Sequence, residues 1–427
     1  MSKIRQYFNT LEITKGFFIA LLASLFIYLN HWGFAYPILI TIFALASLFI
    51  LLQSNKTTWA WYGIFIGVFW FWWIALSLQH YGYAWGFPVG IVIISLMYGV
   101  IFYFIAWLSE KIETLLKINA VFIKAFALFG FSYLHPFGFD WLKPELIFLE
   151  SYLGIEKWQF GLILMSISLT IWKKNILFLL LIFTAYEPSN HISKTVNTNI
   201  QLISTQVTVK DKWDKTLHEK QFNTVFYAID QAIDANKTLI ILPESVFPIF
   251  LNRSQSLIHT LQEKAKHISI VAGGLYWDGK TPRNSTYIFT NNKITVANKV
   301  LLVPFGESNP LPNFLSKWVN KVFYDGAVDY KASSDIIDYK IDGITYRNAI
   351  CFEATSEKLY EKDKKGNYPQ NMIVLSNNGW FTPSIEPTLQ KLLLQYYSQK
   401  YNTTIYHAIN MSESYIIQKG KCLNIKL

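Results

Sequence analysis

Charged residues are scarce in this chain, because only 15% of its 427 residues are Asp, Glu, Lys or Arg. A soluble domain carries about 25%. The scarcity is concentrated in residues 1–186, which hold 11 Lys or Arg and 7 Asp or Glu, whereas residues 187–427 hold 27 and 21. With 52% hydrophobic residues, the composition excludes a disordered protein. The two parts are suited to different solvents.

Two long stretches, residues 16–55 and 57–109, contain no charged side chain at all. Each is long enough for two helices of about 20 residues that cross a bilayer. The sequence therefore predicts a polytopic α-helical membrane domain over residues 1–186, in contact with the bilayer. Residues 187–427 are predicted to form a separate polar domain.

Seven apolar segments, broken by charge, proline or glycine, are predicted to be the spans of the membrane domain. They cover residues 16–30, 37–52, 58–78, 87–108, 120–134, 158–172 and 176–186. The first follows Lys3, Arg5 and Lys15, as a secretory signal would. No small-residue cleavage site comes after it, so we expect it to be retained as a helix.

The distribution of lysine and arginine predicts the orientation, because cytoplasmic loops are enriched in these residues. If the N-terminus is inside, the cytoplasmic loops contain eight Lys or Arg and the opposite loops contain only Lys143 and Lys157. An odd number of spans then leaves the polar domain outside the cytoplasm. We expect a multi-pass protein of the bacterial inner membrane with a periplasmic catalytic domain. Without a further apolar run before Leu427, that domain would be tethered through its N-terminal side.

Cysteine is nearly absent, with Cys351 and Cys422 the only two. Two cysteines cannot form a disulfide framework or a zinc cluster, and the eight histidines do not fall at the spacing of helical metal sites. We therefore predict neither a metal nor a cofactor. The net charge of +10 is divided between both parts without a basic stripe of interleaved aromatics, so nucleic acid is not an expected partner.

Residues 187–427 alternate strand and helix patterns, which indicates a layered α/β domain. Strands are predicted at residues 200–204, 239–242, 268–271, 348–351 and 372–375. Helices are predicted at residues 216–235, 256–266 and 387–401. The Asn291-Asn292 pair between residues 285–290 and 293–297 predicts a hairpin turn.

Three polar residues stand beside apolar runs that read as strands. Glu244 follows the run at residues 239–243, Lys299 precedes the run at residues 300–305, and Cys351 ends another run. Side chains at strand ends can converge on one edge of a sheet. Singly, each has an ordinary interpretation: such a Cys is usually a core residue, and such a Glu or Lys is usually solvated.

The motifs around these residues resemble the nitrilase superfamily and, more narrowly, the apolipoprotein N-acyltransferase family. The matching sequences are Lys212-Trp213-Asp214, Pro243-Glu244-Ser245, Asn284-Ser285, Lys299 with Leu302-Val303-Pro304-Phe305-Gly306-Glu307, Cys351-Phe352-Glu353 and Ser376-Asn377-Asn378-Gly379-Trp380-Phe381. The multi-span first half agrees with this resemblance. It implies a nitrilase-like αββα sandwich (a CN hydrolase domain) with Glu244, Lys299 and Cys351 as the catalytic set.

The resemblance also implies an activity. Glu244 would take the thiol proton of Cys351, and Lys299 would stabilise the thiolate and then the oxyanion, together with a backbone N–H after the cysteine. The acyl donor would be a membrane phospholipid such as phosphatidylethanolamine. The acceptor would be the N-terminal amine of the S-diacylglyceryl-cysteine of an apolipoprotein, reached through a thioester by a ping-pong route.

Five further residues match supporting positions of the family. The resemblance implies that Glu307 orients the lysine or a substrate amine, that Glu353 is an acidic neighbour of the nucleophile, and that Trp213 lies near the lipid. Asn284 fits a hydrogen-bonding position. Phe352 replaces a tyrosine that commonly follows the nucleophile, which removes a hydroxyl but leaves the backbone N–H.

Two alternatives remain open at this point. In the first, the chain is a membrane-tethered carbon–nitrogen hydrolase of the nitrilase superfamily, and water resolves the acyl-enzyme. In the second, it is a transporter or receptor with a degenerate nitrilase-like sensor domain. The second does not require Glu244, Lys299 and Cys351 to coexist, and they do.

Overall fold

The computed structural model describes residues 9–188, 199–304, 306–308, 330–363 and 365–423. The chain divides into two compact units. The first unit comprises Met1–Leu134, Trp141–His191 and Pro383–Leu392, and the second comprises His135–Asp140, Ile192–Thr382 and Leu393–Leu427. Lys3, Arg5, Phe305 and Leu427, which the sequence arguments used, lie outside the described residues. A domain boundary between residues 186 and 187 stays a prediction.

The first unit is helical, and each of the seven predicted apolar segments coincides with one helix. The helices are α1 (Thr10–His31), α2 (Pro37–Gln53), α3 (Lys56–Phe71), α4 (Gly86–Leu116), α5 (Ala120–Phe131), α6 (Lys157–Lys173) and a 3-10 helix at Ile176–Ala185. A 3-10 turn at Trp72–Leu76 continues α3 into a last helical turn at Ser77–His80. Among the described residues, three stretches are long and apolar enough to cross a membrane: Thr10–His31, Lys56–His80 and Gly86–Leu116. The number of seven spans therefore stays a prediction.

Helices α3 and α4 approach each other closely because glycine lines their contact. A Cβ atom on Gly63 would lie 2.4 Å from the carbonyl oxygen of Tyr98, and one on Gly67 would lie 2.6 Å from Cα of Ser95. No side chain fits either distance. Small residues that bring two backbones together are the usual way in which membrane helices associate, since lipid supplies no hydrophobic drive between them.

The second unit contains two six-stranded sheets. The strands are β1 (Ile200–Leu202), β2 (Leu239–Ile241), β3 (Phe247–Phe250), β4 (Ser269–Trp277), β5 (Pro282–Thr290), β6 (Lys293–Asn298), β7 (Asp338–Ile341), β8 (Ile344–Ile350), β9 (Asn371–Asn377), β10 (Thr404–Asn410), β11 (Tyr415–Gln418) and β12 (Lys421–Leu423). The first sheet has the order β1-β2-β4-β5-β6, with β3 paired to β4, and the second has the order β12-β11-β10-β9-β8-β7. In the first sheet, β1, β2 and β4 pair in parallel and β5 and β6 continue it as antiparallel strands. In the second sheet, β8, β9 and β10 form a parallel centre, and antiparallel strands complete both edges.

The two sheets share one core. The side chains of Ile241, Val271 and Ile288 from the first sheet pack in one buried cluster with Ile373 and Leu375 from the second. Alternate residues along a strand point to opposite faces of the sheet. Each sheet therefore also has an outer face, turned away from the shared core, that must be covered.

Helices cover these outer faces. The α-helices described after residue 199 are, in sequence order, α7 (Val209–Lys212), α8 (His218–Asp234), α9 (Gln255–Lys264) and α10 (Glu386–Tyr401), of which α10 belongs to the second unit only from Leu393 on. Val225 of α8 and Leu261 of α9 pack on Ile240 and Ile270 of the first sheet. On the side of the second sheet, Gln395 of α10 donates to the carbonyl of Gly420 between β11 and β12. The layers are therefore αββα, as the resemblance implied.

The predicted hairpin is confirmed. Thr290 pairs with Lys293 in an antiparallel register, and Asn291 and Asn292 have φ values of 49° and 58°. This left-handed pair is the geometry of a type I′ turn, which asparagine tolerates. A second expectation was wrong, because the run after Lys299 forms no strand, and Lys299 instead directly follows β6.

Candidate active site

Glu244 lies three residues beyond the end of β2, in a tight turn. The next residue, Ser245, has φ 46°, a left-handed conformation that is held only when the surroundings fix it. A Cβ atom on Gly273 of β4 would lie 2.4 Å from the backbone nitrogen of Ser245. Glycine at this position is what lets the turn that carries Glu244 sit against β4.

Cys351 follows β8 directly and begins a 3-10 helix at Cys351–Thr355. Its φ is 52°, so the chain turns sharply at the sulfur-bearing residue. Non-glycine residues with such values are uncommon and cluster at functional sites. The side chain is partly exposed, which a nucleophile requires.

Lys299 is almost completely buried, at 1% exposure, and its ammonium lies 2.7 Å from a carboxylate oxygen of Glu307. Burial acts to lower the pKa of Lys299, but the negative groups Glu307, Glu244 and Cys351 together raise it above its ordinary value. The lysine is therefore a fixed cation at neutral pH. The same interactions bring Glu244, Lys299 and Cys351 within electrostatic reach of one another.

Asn284 of β5 joins the two acidic residues. Its side-chain amide nitrogen donates to Glu244 Oε1 at 2.8 Å and to Glu307 Oε1 at 2.9 Å. Its main-chain carbonyl accepts the backbone N–H of Lys299. Burial raises the pKa of Glu244. The charge of Lys299 acts to lower this pKa, and the charge of Glu307 acts to raise it further. A carboxylate held in this way is a stronger base than an exposed one.

Glu353 connects the two chain segments that carry Lys299 and Cys351. Its carboxylate accepts the backbone N–H groups of Val300, Leu301 and Ile350 at 2.7, 3.1 and 2.8 Å. The first two follow Lys299 and the third precedes Cys351, so one buried side chain connects the loop after Lys299 to the turn at Cys351. Burial raises the pKa of Glu353 to about 7, although Lys299 and these N–H groups act to lower it.

A segment that sequence reasoning missed also supports the turn at Cys351. His135–Asp140 belongs to the second unit, although it lies far from Cys351 in the sequence. Phe139 stacks on Phe352 with ring centroids 6.3 Å apart. The buried carboxylate of Asp140 accepts the N–H of Glu357 at 2.7 Å and the hydroxyl of Tyr397 at 3.1 Å. Nothing in the local sequence pattern signals these contacts.

The structure thus gathers most of the residues singled out from the sequence. Hydrogen bonds and an ion pair connect Glu244 and Lys299 to Asn284 and Glu307. Glu353 binds the backbone beside Lys299 and Cys351, and Phe352 follows the cysteine. Trp213 is set apart, at the C-terminal end of α7 with 42% of its surface exposed. Its neighbour Lys212, named in a matching motif but given no role there, donates to the main-chain carbonyl of Glu244.

Comparison with known proteins decides the family. The family model described as the apolipoprotein N-acyltransferase integral membrane domain matches residues 10–188. A curated apolipoprotein N-acyltransferase from Wolinella succinogenes is 40% identical over 417 residues, which is 96% of this chain and 97% of the relative. The chain belongs to the apolipoprotein N-acyltransferase family. This membership confirms the resemblance that the motifs carried.

Other members of the apolipoprotein N-acyltransferase family are similar over most of the chain. The protein of that name from Helicobacter pylori is 34% identical over 83% of this chain and 82% of its own length. Among solved structures, a CN-hydrolase superfamily protein from Xanthomonas campestris has 13% identity and a TM-score of 0.41, over 53% of this chain and 84% of that protein.

Proposed function

We propose that this chain is a phospholipid-dependent apolipoprotein N-acyltransferase. It would move a fatty acyl chain from a membrane phospholipid to the N-terminal amine of S-diacylglyceryl-cysteine, through a thioester on one cysteine. The observation that carries the proposal is the buried cluster in which a base, a cation and a partly exposed thiol interact within a member of this family. The roles given to these residues below are part of the proposal.

In the first half-reaction, the Glu244 carboxylate takes the proton of the Cys351 thiol, and the sulfur attacks the ester carbonyl of the phospholipid. The Lys299 ammonium and the backbone N–H after the cysteine stabilise the oxyanion. Collapse of this intermediate breaks the ester C–O bond. Glu244 returns the proton to the leaving oxygen, so a lysophospholipid departs and a thioester remains.

In the second half-reaction, the neutral amine of the lipoprotein attacks the thioester carbonyl. The amine loses a proton to Glu244, the C–S bond breaks, and the proton passes to the Cys351 thiolate. In both half-reactions, Glu307 holds Lys299 in place through the 2.7 Å ion pair. Asn284 holds the carboxylates of Glu244 and Glu307 in fixed positions. No cofactor is required by this sequence of steps.

A two-substrate assay tests the proposed function. The full-length protein in detergent, given a phospholipid and a synthetic diacylated lipopeptide, is expected to add the mass of one acyl chain to the lipopeptide and to release lysophospholipid. In the hydrolase alternative, free fatty acid or a cleaved amide appears instead. An unmodified lipopeptide beside consumed phospholipid would contradict the transferase assignment.

Trp213 is proposed to contact the lipid substrate, because a large aromatic side chain exposed over 42% of its surface follows the helix that touches the Glu244 turn. Trp213→Ala should raise the KM for phospholipid in acyl-enzyme formation by about tenfold, as expected for the loss of an aromatic anchor. Tyr227→Ala, at another exposed aromatic residue on α8, is the matched control. Equal kinetics in both variants would remove Trp213 from the lipid site.

We further propose that the protein lies in the bacterial inner membrane with its catalytic unit in the periplasm, where phosphatidylethanolamine and diacylated apolipoproteins would meet it. The lysine asymmetry of the loops supports this orientation. The 3-10 helix Ile176–Ala185 is short for a span, because ten residues at about 2 Å each cover less than the roughly 30 Å hydrocarbon core.

A reporter enzyme that is active only in the periplasm, fused after the last residue, tests this orientation. We expect activity from this fusion, and none from the same reporter fused within the loop after α2. An inactive full-length fusion would place the last residue in the cytoplasm. The chain would then cross the membrane an even number of times, and the segments at residues 158–186 would be the ones miscounted.

A further inference from the structure

Lys212 is a buried cation for which the reaction steps above provide no role. It ends α7, is only 3% exposed, and its ammonium donates to the main-chain carbonyl oxygen of Glu244 at 3.0 Å. Lysine is almost never this deeply buried unless it is paired. Its partner here is the backbone of the proposed general base.

The carbonyl that Lys212 holds belongs to the strained part of the site. The peptide group after Glu244 leads into Ser245, whose φ is 46°, and its other side is pressed against Gly273. A hydrogen bond from a charged donor is shorter and stronger than one between neutral groups. The ammonium therefore fixes the direction of this peptide group, and through it the starting point of the Glu244 side chain.

Lys212 also acts on the carboxyl group of Glu244 through its charge. Burial lowers the pKa of Lys212 to about 8, against the raising effect of Glu244, so most of the lysine remains cationic at pH 7. The other groups that face Glu244 are Lys299 and Glu307 from the loop after β6 and Asn284 from β5. Lys212 is thus a second positive charge, from a different element, that acts to lower the pKa of a carboxyl group whose pKa burial raises.

We propose that Lys212 is a positioning residue for acyl transfer, whose ammonium holds the Glu244 turn and keeps the Glu244 carboxylate ionised for proton abstraction from Cys351. This inference rests on the proposed function, because it takes Glu244 as the base. Lys212 contacts the backbone of Glu244 rather than the reacting atoms, so its effect is transmitted through Glu244.

The pH dependence of acylation separates this role from simple packing. The rate of acyl-enzyme formation on Cys351 from phospholipid is measured between about pH 5 and 9 for the full-length protein. Removing a cation near Glu244 raises the pKa of its carboxyl group, so Lys212→Met should move the acidic limb of the profile up by about one unit. At pH values on that limb, the variant should be about tenfold slower than the wild type. Lys212→Arg, which keeps the charge, should leave the limb in place.

Two further variants complete the design. Lys212→Gln keeps a donor for the Glu244 carbonyl but no charge, and it is expected to shift the limb as Lys212→Met does; if only one neutral variant folds, that one decides. Lys210→Met removes an exposed lysine of the same helix and should match the wild type. An acidic limb at the wild-type position in the neutral variants would overturn the proposal. A wild-type protein that forms no adduct would instead refute the proposed function.

Discussion

Incubated with phospholipid alone, the purified protein is expected to gain the mass of one fatty acyl chain on the peptide that contains Cys351. The thiol sits at the start of a 3-10 helix, in a left-handed turn, where it interacts with the cation Lys299, which also faces the buried carboxyl group of Glu244. The positive charge of Lys299 favours the thiolate, which is the nucleophilic form. The adduct should be a thioester, and hydroxylamine should therefore remove it.

Cys351→Ala should abolish the adduct completely, because the variant lacks the thiol that is proposed to form the thioester. The chain supplies its own control in Cys422, which lies in β12 at the edge of the second sheet. Cys422→Ala should acquire the same mass at the same rate as the wild type. An adduct that persists in Cys351→Ala, or one that maps to Cys422, would show that the nucleophile has been misassigned.

The fate of the adduct distinguishes the transferase from the hydrolase. Once formed and freed of excess phospholipid, the acyl-enzyme should be discharged much faster by a diacylated lipopeptide than by buffer. A lipopeptide whose N-terminal amine is acetylated is the matched control, because it retains the lipid chains but has no nucleophile. Discharge by water at the same rate with either lipopeptide would favour the hydrolase.

The sequence predicted elements whose local pattern is clear. Helix α8 follows from its amphipathic pattern, and the β5–β6 hairpin follows from asparagines that tolerate a positive φ. Strand β10 was not predicted, because His407 and Asn410 interrupt its apolar pattern. His407 is nonetheless fully buried, where its ring bonds Ser376 of β9 at 2.7 Å. A partner 31 residues away leaves no signal in a local window.

The site shows the same limit. The apolar run after Lys299 has the composition of a strand, but the N–H groups of Val300 and Leu301 bind the carboxylate of Glu353 instead of a neighbouring strand. Family motifs pointed to Glu353 without giving this reason for it. Asp140 could not be found at all, because its role depends on Glu357 and Tyr397, which the chain brings to it only on folding.

Lys299→Met is expected to slow acyl-enzyme formation by about 10²- to 10³-fold, the usual effect of losing one oxyanion-stabilising group. The substitution removes the only cation that is paired with Glu307 among the described residues. Lys293→Met, at an exposed lysine at the start of the preceding strand β6, is the matched control and should retain the wild-type rate. The measurement is the rate of mass gain on Cys351.

The same substitution should also destabilise the fold, because it leaves Glu307 and Glu244 close together without their cation. Removing one member of a buried ion pair is costly, whereas removing both members is often tolerated. We therefore expect the double variant Lys299→Met/Glu307→Gln to recover much of the lost thermal stability without recovering the rate. Recovery of both would mean that Lys299 only neutralises Glu307. Recovery of stability alone would assign to Lys299 a direct effect on the charge that develops during acyl transfer, because folding is then intact while the oxyanion still lacks its cation.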